Sequence, residues 1–237
     1  MDERRLNDLI REKEAVLSLA FPALMRKVYV WMTLALVITG VTAYGVAHST
    51  NFIYMLMENS WIMWALLIAE LALVFILSSR VMKMSLAMGT LMFILFSAIN
   101  GATLSVIFLA YSTTSIAKVF FITAGTFAAT ALFGYTTKRD LSSMGRILFM
   151  ALIGLIIATV VNLFLKSSGF EMILSYLGVA VFVGLTAWDT QKIKMMLAQC
   201  EEPNEEAHKI ALLGSLSLYL DFVNLFIYLL RIFGSRE

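Results

Sequence analysis

Seven apolar runs, each of about twenty residues, set the limits on what this chain can fold into. They lie near Val28–Ala47, Trp61–Ser79, Leu86–Ala110, Ile116–Tyr135, Ile147–Leu165, Met172–Gln191 and Ile210–Phe233. A helix of about 20 residues crosses ~30 Å of hydrocarbon, and in lipid every backbone N–H and C=O must find its partner inside the protein. The expected fold is therefore all-α: a polytopic membrane protein of seven transmembrane helices. Composition agrees, with 60% of the 237 residues hydrophobic and 14% charged, where a soluble domain has about 45–50% and ~25%. The expected organisation is an amino-terminal segment at 1–27, a transmembrane domain at 28–233 and a tail at 234–237.

Several chemistries are made improbable by what the chain contains. The first residues are charged and no small-residue cleavage motif follows a short apolar core, so no cleavable signal is expected. Cys200 is the single cysteine, which excludes an intrachain disulfide and a cysteine-cluster metal site. His48 and His208 are too few for a histidine-rich metal centre. No cofactor is expected, and a net charge of +2 gives no footing for nucleic acid. Pro22 and Pro203 stand outside the apolar runs, so the spans should be long unbroken helices. Glu201, Glu202, Glu205 and Glu206 read as a solvated acidic loop.

The basic residues orient the chain. Arg4, Arg5, Arg11, Lys13, Arg26 and Lys27 precede the first span; Arg80, Lys83, Lys138, Arg139, Arg146, Lys192, Lys194 and Lys209 fall on the same side of a seven-span protein. The other side has Lys118, Lys166, Arg231 and Arg236. The amino terminus is expected in the cytoplasm and the carboxyl terminus outside, with a bacterial inner membrane as the expected location. A six-span reading with a re-entrant last helix would return the carboxyl terminus inside; Ile210–Phe233 is long enough to cross.

The last run carries the most informative chemistry. Gly214, Ser217, Asp221, Asn224, Tyr228 and Arg231 recur at alternating spacings of three and four, which places them on one helical stripe. A carboxylate at membrane depth costs at least ~2.5–3.5 kcal/mol, so Asp221 is a candidate functional residue; the plain alternative is a neutral, hydrogen-bonded Asp. Asp189 stands in Gly184-Leu-Thr-Ala-Trp-Asp-Thr-Gln191, read as the cytoplasmic end of the sixth span, where a solvated interfacial carboxylate is the alternative. A short link makes the sixth and seventh spans antiparallel neighbours. Two carboxylates meeting there out of bulk water would hold a shared proton and titrate as a pair near neutral pH. Ionised, they would offer hard oxygen ligands suited to transient Ca2+ binding. Arg80 is the natural counter-charge, or else a positive-inside loop residue. Glu70 is either a structural carboxyl or part of an ion path with Ser217 and Asn224. Asn100, Asn162 and Asn224 read as interhelical hydrogen bonds.

The run Ser217-Leu-Tyr-Leu-Asp221-Phe-Val-Asn224-Leu-Phe-Ile-Tyr-Leu-Leu-Arg231, with Ala187-Trp-Asp189-Thr-Gln191 and Lys138-Arg-Asp140-Leu-Ser142 before it, resembles the transmembrane Bax inhibitor motif family, Bax inhibitor 1-like proteins. The resemblance implies a bundle with the last helix central and six others around it. It implies a pH-sensitive Ca2+ leak channel in which Asp189 and Asp221 form a di-aspartyl sensor. It further implies that Arg80 latches onto Asp189, although Ser78, Ser79 and Val81 stand where a run of arginines would be expected. The partners so implied are the bilayer, Ca2+ and protons.

Other functions fit parts of the sequence. An intramembrane aspartyl protease also pairs aspartates on neighbouring spans, but Leu218-Tyr-Leu220 stands before Asp221 instead of Gly-x-Gly and no Pro-Ala-Leu follows. A retinal protein needs a lysine in the last span, and none lies between Ile210 and Leu230. A regulator bound to a membrane protease or quality-control partner, and a proton-coupled transporter, remain open at this point. The expected answer on catalysis is that the protein is not an enzyme.

Overall fold

The computed structural model describes residues 3–200 and 204–235. The described residues contain helices and no strand: α1 (Glu3–Ala47), α2 (Thr50–Glu58), α3 (Ser60–Arg80), α4 (Leu86–Leu104), α5 (Ile107–Ala110), α6 (Thr113–Thr136), α7 (Ser142–Leu165), α8 (Ser168–Ala198) and α9 (Glu205–Phe233). A 3-10 turn at Val81–Lys83 follows α3. Seven helices are long and apolar enough to cross a membrane, with the short α5 continuing α4 as one span. Glu201, Glu202 and Pro203 of the expected acidic loop lie outside the described residues, as do the side chains of the amino-terminal basic residues up to Lys13.

Local chemistry sets the helix ends. The hydroxyls of Ser85, Ser112 and Ser167 and the side-chain oxygen of Asn204 accept from backbone N–H groups three residues on, opening α4, α6, α8 and α9. The α7–α8 turn is made by Lys166, at φ 50°, in the left-handed region. There Asn162 Oδ1 accepts from Ser167 N at 3.2 Å, so Asn162 closes a turn instead of bridging helices. Pro22 lies inside α1, where the polar amino-terminal segment runs without a break into the first span.

The last helix is the axis of the bundle. Two thirds (67%) of its most apolar stretch is buried, against 6% for α3 and for α7. Leu218, Tyr219 and Leu225 are fully buried. Four helices pack directly on α9: α8, α1, α6 and α4. The other two form an outer layer, α3 against α4 and α7 against α8, so the expected ring of six is a ring of four with two helices outside it. Small residues explain why α9 is the one enclosed. Ala207, Ala211, Gly214 and Ser215 are all buried and let neighbouring backbones approach where lipid supplies no hydrophobic drive. Phe222 and Phe226 fill the wider half, Phe222 against Phe120 and Phe127 with ring centroids 5.4 and 5.5 Å apart. The outward residues of α3 and α7, among them Leu71, Phe75, Ile157 and Phe164, are exposed, as a lipid-facing surface requires.

Candidate functional site

Asp189 and Asp221 are brought together by the register of α8 on α9. A Cβ on Gly214 would touch Ile193, and Gly178 lies against the Tyr228 ring. Both pairings have residue numbers that sum to 406 or 407. Asp189 is therefore level with Leu218, and Asp221 is one turn away, about 4.5 Å along the axis at 1.5 Å per residue. The carboxyls face each other across the interface. Asp221 is 4% exposed, and its Oδ2 has no hydrogen-bond partner. Asp189 is half-buried and feels the positive charge of Lys192. Lys192 in turn stands over the Trp188 ring, 5.0 Å from its centroid.

The helix that carries Asp189 runs on past the expected end of the sixth apolar run. The helix continues to Ala198, nine residues past Asp189, or about 13 Å. Two polar side chains on this extension explain why it stays helical and in place. Gln191 donates to Arg139 O at 2.8 Å and accepts from Leu141 N at 2.8 Å. Lys194 Nζ donates to Tyr135 O at 2.7 Å and lies 5.0 Å from the centroid of the Tyr135 ring, neutralising carbonyls at the end of α6. Thus the Lys138–Ser142 loop and the Asp189–Gln191 segment, separate in sequence, form one structure. Asp140 belongs to this loop and accepts from Ser142 N at 2.8 Å. The Ser142 hydroxyl and N–H, with Arg146 behind them, hold its carboxyl below the usual range.

Close helix contacts fix the rotation of α8. Gly134 of α6 lies against the backbone of Ala187, and Gly145 of α7 lies under the Trp188 indole. Neither place has room for a Cβ. The two residues before Asp189 are thereby clamped from two sides.

The expected Arg80 latch is not formed. Arg80 is exposed, and among the described residues it has no carboxylate within ion-pair distance. The end of α3 does reach α9, through Leu77 and Val81 against Leu212 and Leu216, but Arg80 itself lies on the exposed side of that contact. Nor does Asn224 bridge helices, since its Nδ2 donates to Leu220 O of its own helix at 2.8 Å. Ser217 and Asn224 lie half-buried on the less enclosed side of α9.

Glu70 belongs to a different polar cluster, one that the sequence does not reveal. Asn100 Nδ2 donates to Glu70 Oε2 at 3.1 Å, and Tyr219 OH donates to Asn100 Oδ1 at 2.9 Å. Thr39 Oγ1 lies 2.6 Å from Tyr219 OH and 2.9 Å from Ser97 O. The chain crosses α3, α4, α9 and α1, and Tyr219 is fully buried in it with Phe93 and Phe96 edge-on to its ring. Asn100, expected from the sequence to make an interhelical hydrogen bond, stands at its centre; its link to Glu70 and Tyr219 is what the sequence does not show. Tyr219→Phe removes the hydroxyl that links Asn100 to Thr39, and should lower stability by about 1–2 kcal/mol. Thermal unfolding in detergent checks this; an unchanged midpoint would show the chain to be energetically idle.

A family model described as "Inhibitor of apoptosis-promoting Bax1" matches residues 22–237. The chain belongs to this Bax inhibitor family. It is 49% identical over 214 residues to the inner membrane protein YbhL of Escherichia coli (strain K12), covering 90% of this chain and 92% of that protein. It is 41% identical over 230 residues to an uncharacterized protein of Borreliella burgdorferi, covering 97% and 98%. It is 43% identical over 213 residues to the uncharacterized protein RP147 of Rickettsia prowazekii, covering 90% and 89%. None of these names describes an enzyme. The family match takes in all seven membrane-length helices and both aspartates.

Proposed function

We propose that this Bax inhibitor family member is a pH-sensitive Ca2+ leak channel gated by the Asp189–Asp221 pair. It would sit in the bacterial inner membrane with its amino terminus in the cytoplasm. One observation carries the reading: a buried carboxyl with an unpartnered oxygen, Asp221, faces a second carboxyl in the tightest helix interface of the bundle. The cost of placing acid there is justified by a charge that changes.

The pair has three proton occupancies. With two protons it has no charge to draw a cation. With one it is a mobile monoanion whose proton shuttles between the oxygens. With none it presents two carboxylates, hard ligands for Ca2+. Among the described residues no three His, Cys, Asp or Glu side chains converge on one point, so the pair supplies two ligands and not a closed cage. Passage needs binding strong enough to admit the ion and weak enough to release it. Flux should therefore peak at the intermediate occupancy and fall on both sides. Lys192 takes the counter-charge role expected of Arg80, because it is the cation that acts on Asp189.

Reconstituted Ca2+ flux into liposomes, measured over about pH 5 to 8, is the test. Wild type should give a bell, and Asp189→Asn should remove one limb or both. A flux equal to that of empty liposomes at every pH would end the channel reading. A profile that Asp189→Asn leaves unaltered would remove the pair as the gate.

A further inference from the structure

A trough of about 580 Å³ runs between α1 and α6. The two helices both pack on α9 but are held apart from each other, and Phe222 of α9 forms the floor. On α1 the lining extends from Pro22 to Leu36, fourteen residue steps or about 21 Å. One leaflet of a ~30 Å hydrocarbon core is about 15 Å thick, so the trough is one leaflet deep with several ångströms left for a headgroup.

Its chemistry is graded along that length. The inner part is apolar, and Ala124 and Ala128 of α6 open the space. The polar groups gather at one end, where Arg26, Tyr29 and Tyr135 line the wall. Arg26 is exposed, and among the described residues it has no carboxylate partner. Lys27 and Lys194 stand at the same end of the bundle, Lys27 Nζ 3.5 Å from His208 Nε2 at the start of α9 and Lys194 on the last turn of α6. An apolar slot one leaflet long with a cation at its headgroup end matches a single kind of occupant.

We propose that the α1–α6 trough is a binding site for an anionic phospholipid, one acyl chain lying along Ala124 and Ala128 and the phosphate meeting Arg26. The site is independent of the channel reading. It accounts for the gap between α1 and α6, and for an arginine that has no acidic partner among the described residues. It also places a lipid chain on Phe222, next to Asp221 in sequence.

The test is native mass spectrometry of the delipidated full-length protein after addition of phosphatidylglycerol or phosphatidylcholine with identical chains. Phosphatidylglycerol should be retained about fivefold better, the factor that one basic residue at a membrane surface contributes. Arg26→Gln should bring the two lipids level. Ala128→Leu, whose added side chain enters the trough, should reduce retention of both; Ala124→Leu serves where the first variant does not give monodisperse protein. Ile157→Phe, on the exposed side of α7, should change nothing. Equal retention of the two lipids by wild type would overturn the anionic site and leave an ordinary annular lipid. Full retention by both trough-filling variants would move the lipid elsewhere.

Discussion

Asp221→Asn should remove the bell from the dependence of Ca2+ flux on pH across about pH 5 to 8, leaving at most a single limb. The substitution keeps the shape of the side chain and leaves the α8–α9 interface closed, while removing the carboxyl that is coupled to Asp189. A lone Asp189 facing an amide and Lys192 can take up or lose only its own proton, and coupled titration, which belongs to the pair, disappears. The ratio of flux at the peak to flux at one end of the range should fall to about one, because a single carboxyl has two occupancies and gives a plateau where the pair gives a second limb. The variant should also be at least as stable as wild type, because an amide replaces an acid whose Oδ2 has no hydrogen-bond partner. The two readouts together separate gate from scaffold. A variant that folds normally and still shows the wild-type profile would place the pH sensor elsewhere. A variant that simply unfolds would mean that Asp221 holds the bundle together, contrary to the unpartnered oxygen.

How much of this was legible before the coordinates depends on which scale of information each feature uses. The seven spans follow from apolar length alone, and the meeting of Asp189 and Asp221 follows from a short link between two long helices. What the sequence misplaced were features fixed by contacts between distant helices. Arg80 ends its helix with the right charge on the right side, yet it is Leu77 and Val81 that the end of α3 turns toward α9, and Arg80 is left exposed. Layering is set by which helices have small residues on facing surfaces, and that is a pairwise property. The same holds for Tyr219, whose partners come from positions 119 and 180 residues away. The end of the sixth span was also set too early, because Gln191 and Lys194 look like loop residues until Arg139, Leu141 and Tyr135 are seen to receive them. The central place of α9 was more nearly within reach. Ala207, Ala211, Gly214 and Ser215 form a run of small residues that lipid-facing helices do not need, and it is a better guide than periodicity.

Close packing around α8 leads to the second large effect. Gly134→Leu should destabilise the fold severely. A Cβ at this position would run into the backbone of Ala187, and backbone cannot rotate aside as a side chain can. Overpacking a well-filled site costs ~1–3 kcal/mol and more where nothing yields. For soluble domains near this length each kcal/mol moves the midpoint by about 2–4 °C, so a loss of roughly 6–12 °C is expected, or no folded protein at all. Gly154→Leu is the matched control: the same substitution in α7, where nothing lies within 4 Å of an added Cβ, should leave the midpoint nearly unchanged. Gly134→Ala gives the intermediate case and tests the function as well. Its Cβ meets the same backbone but brings none of the further leucine atoms, so the helices need part by less; where the variant folds, it pushes α6 away from the two residues that precede Asp189 and should shift the pH at which flux peaks without abolishing flux. If Gly134→Leu and Gly154→Leu unfold at the same temperature, α6 and α8 are not in contact at Ala187. The geometry that turns Asp189 toward Asp221 would then have to come from another part of the bundle.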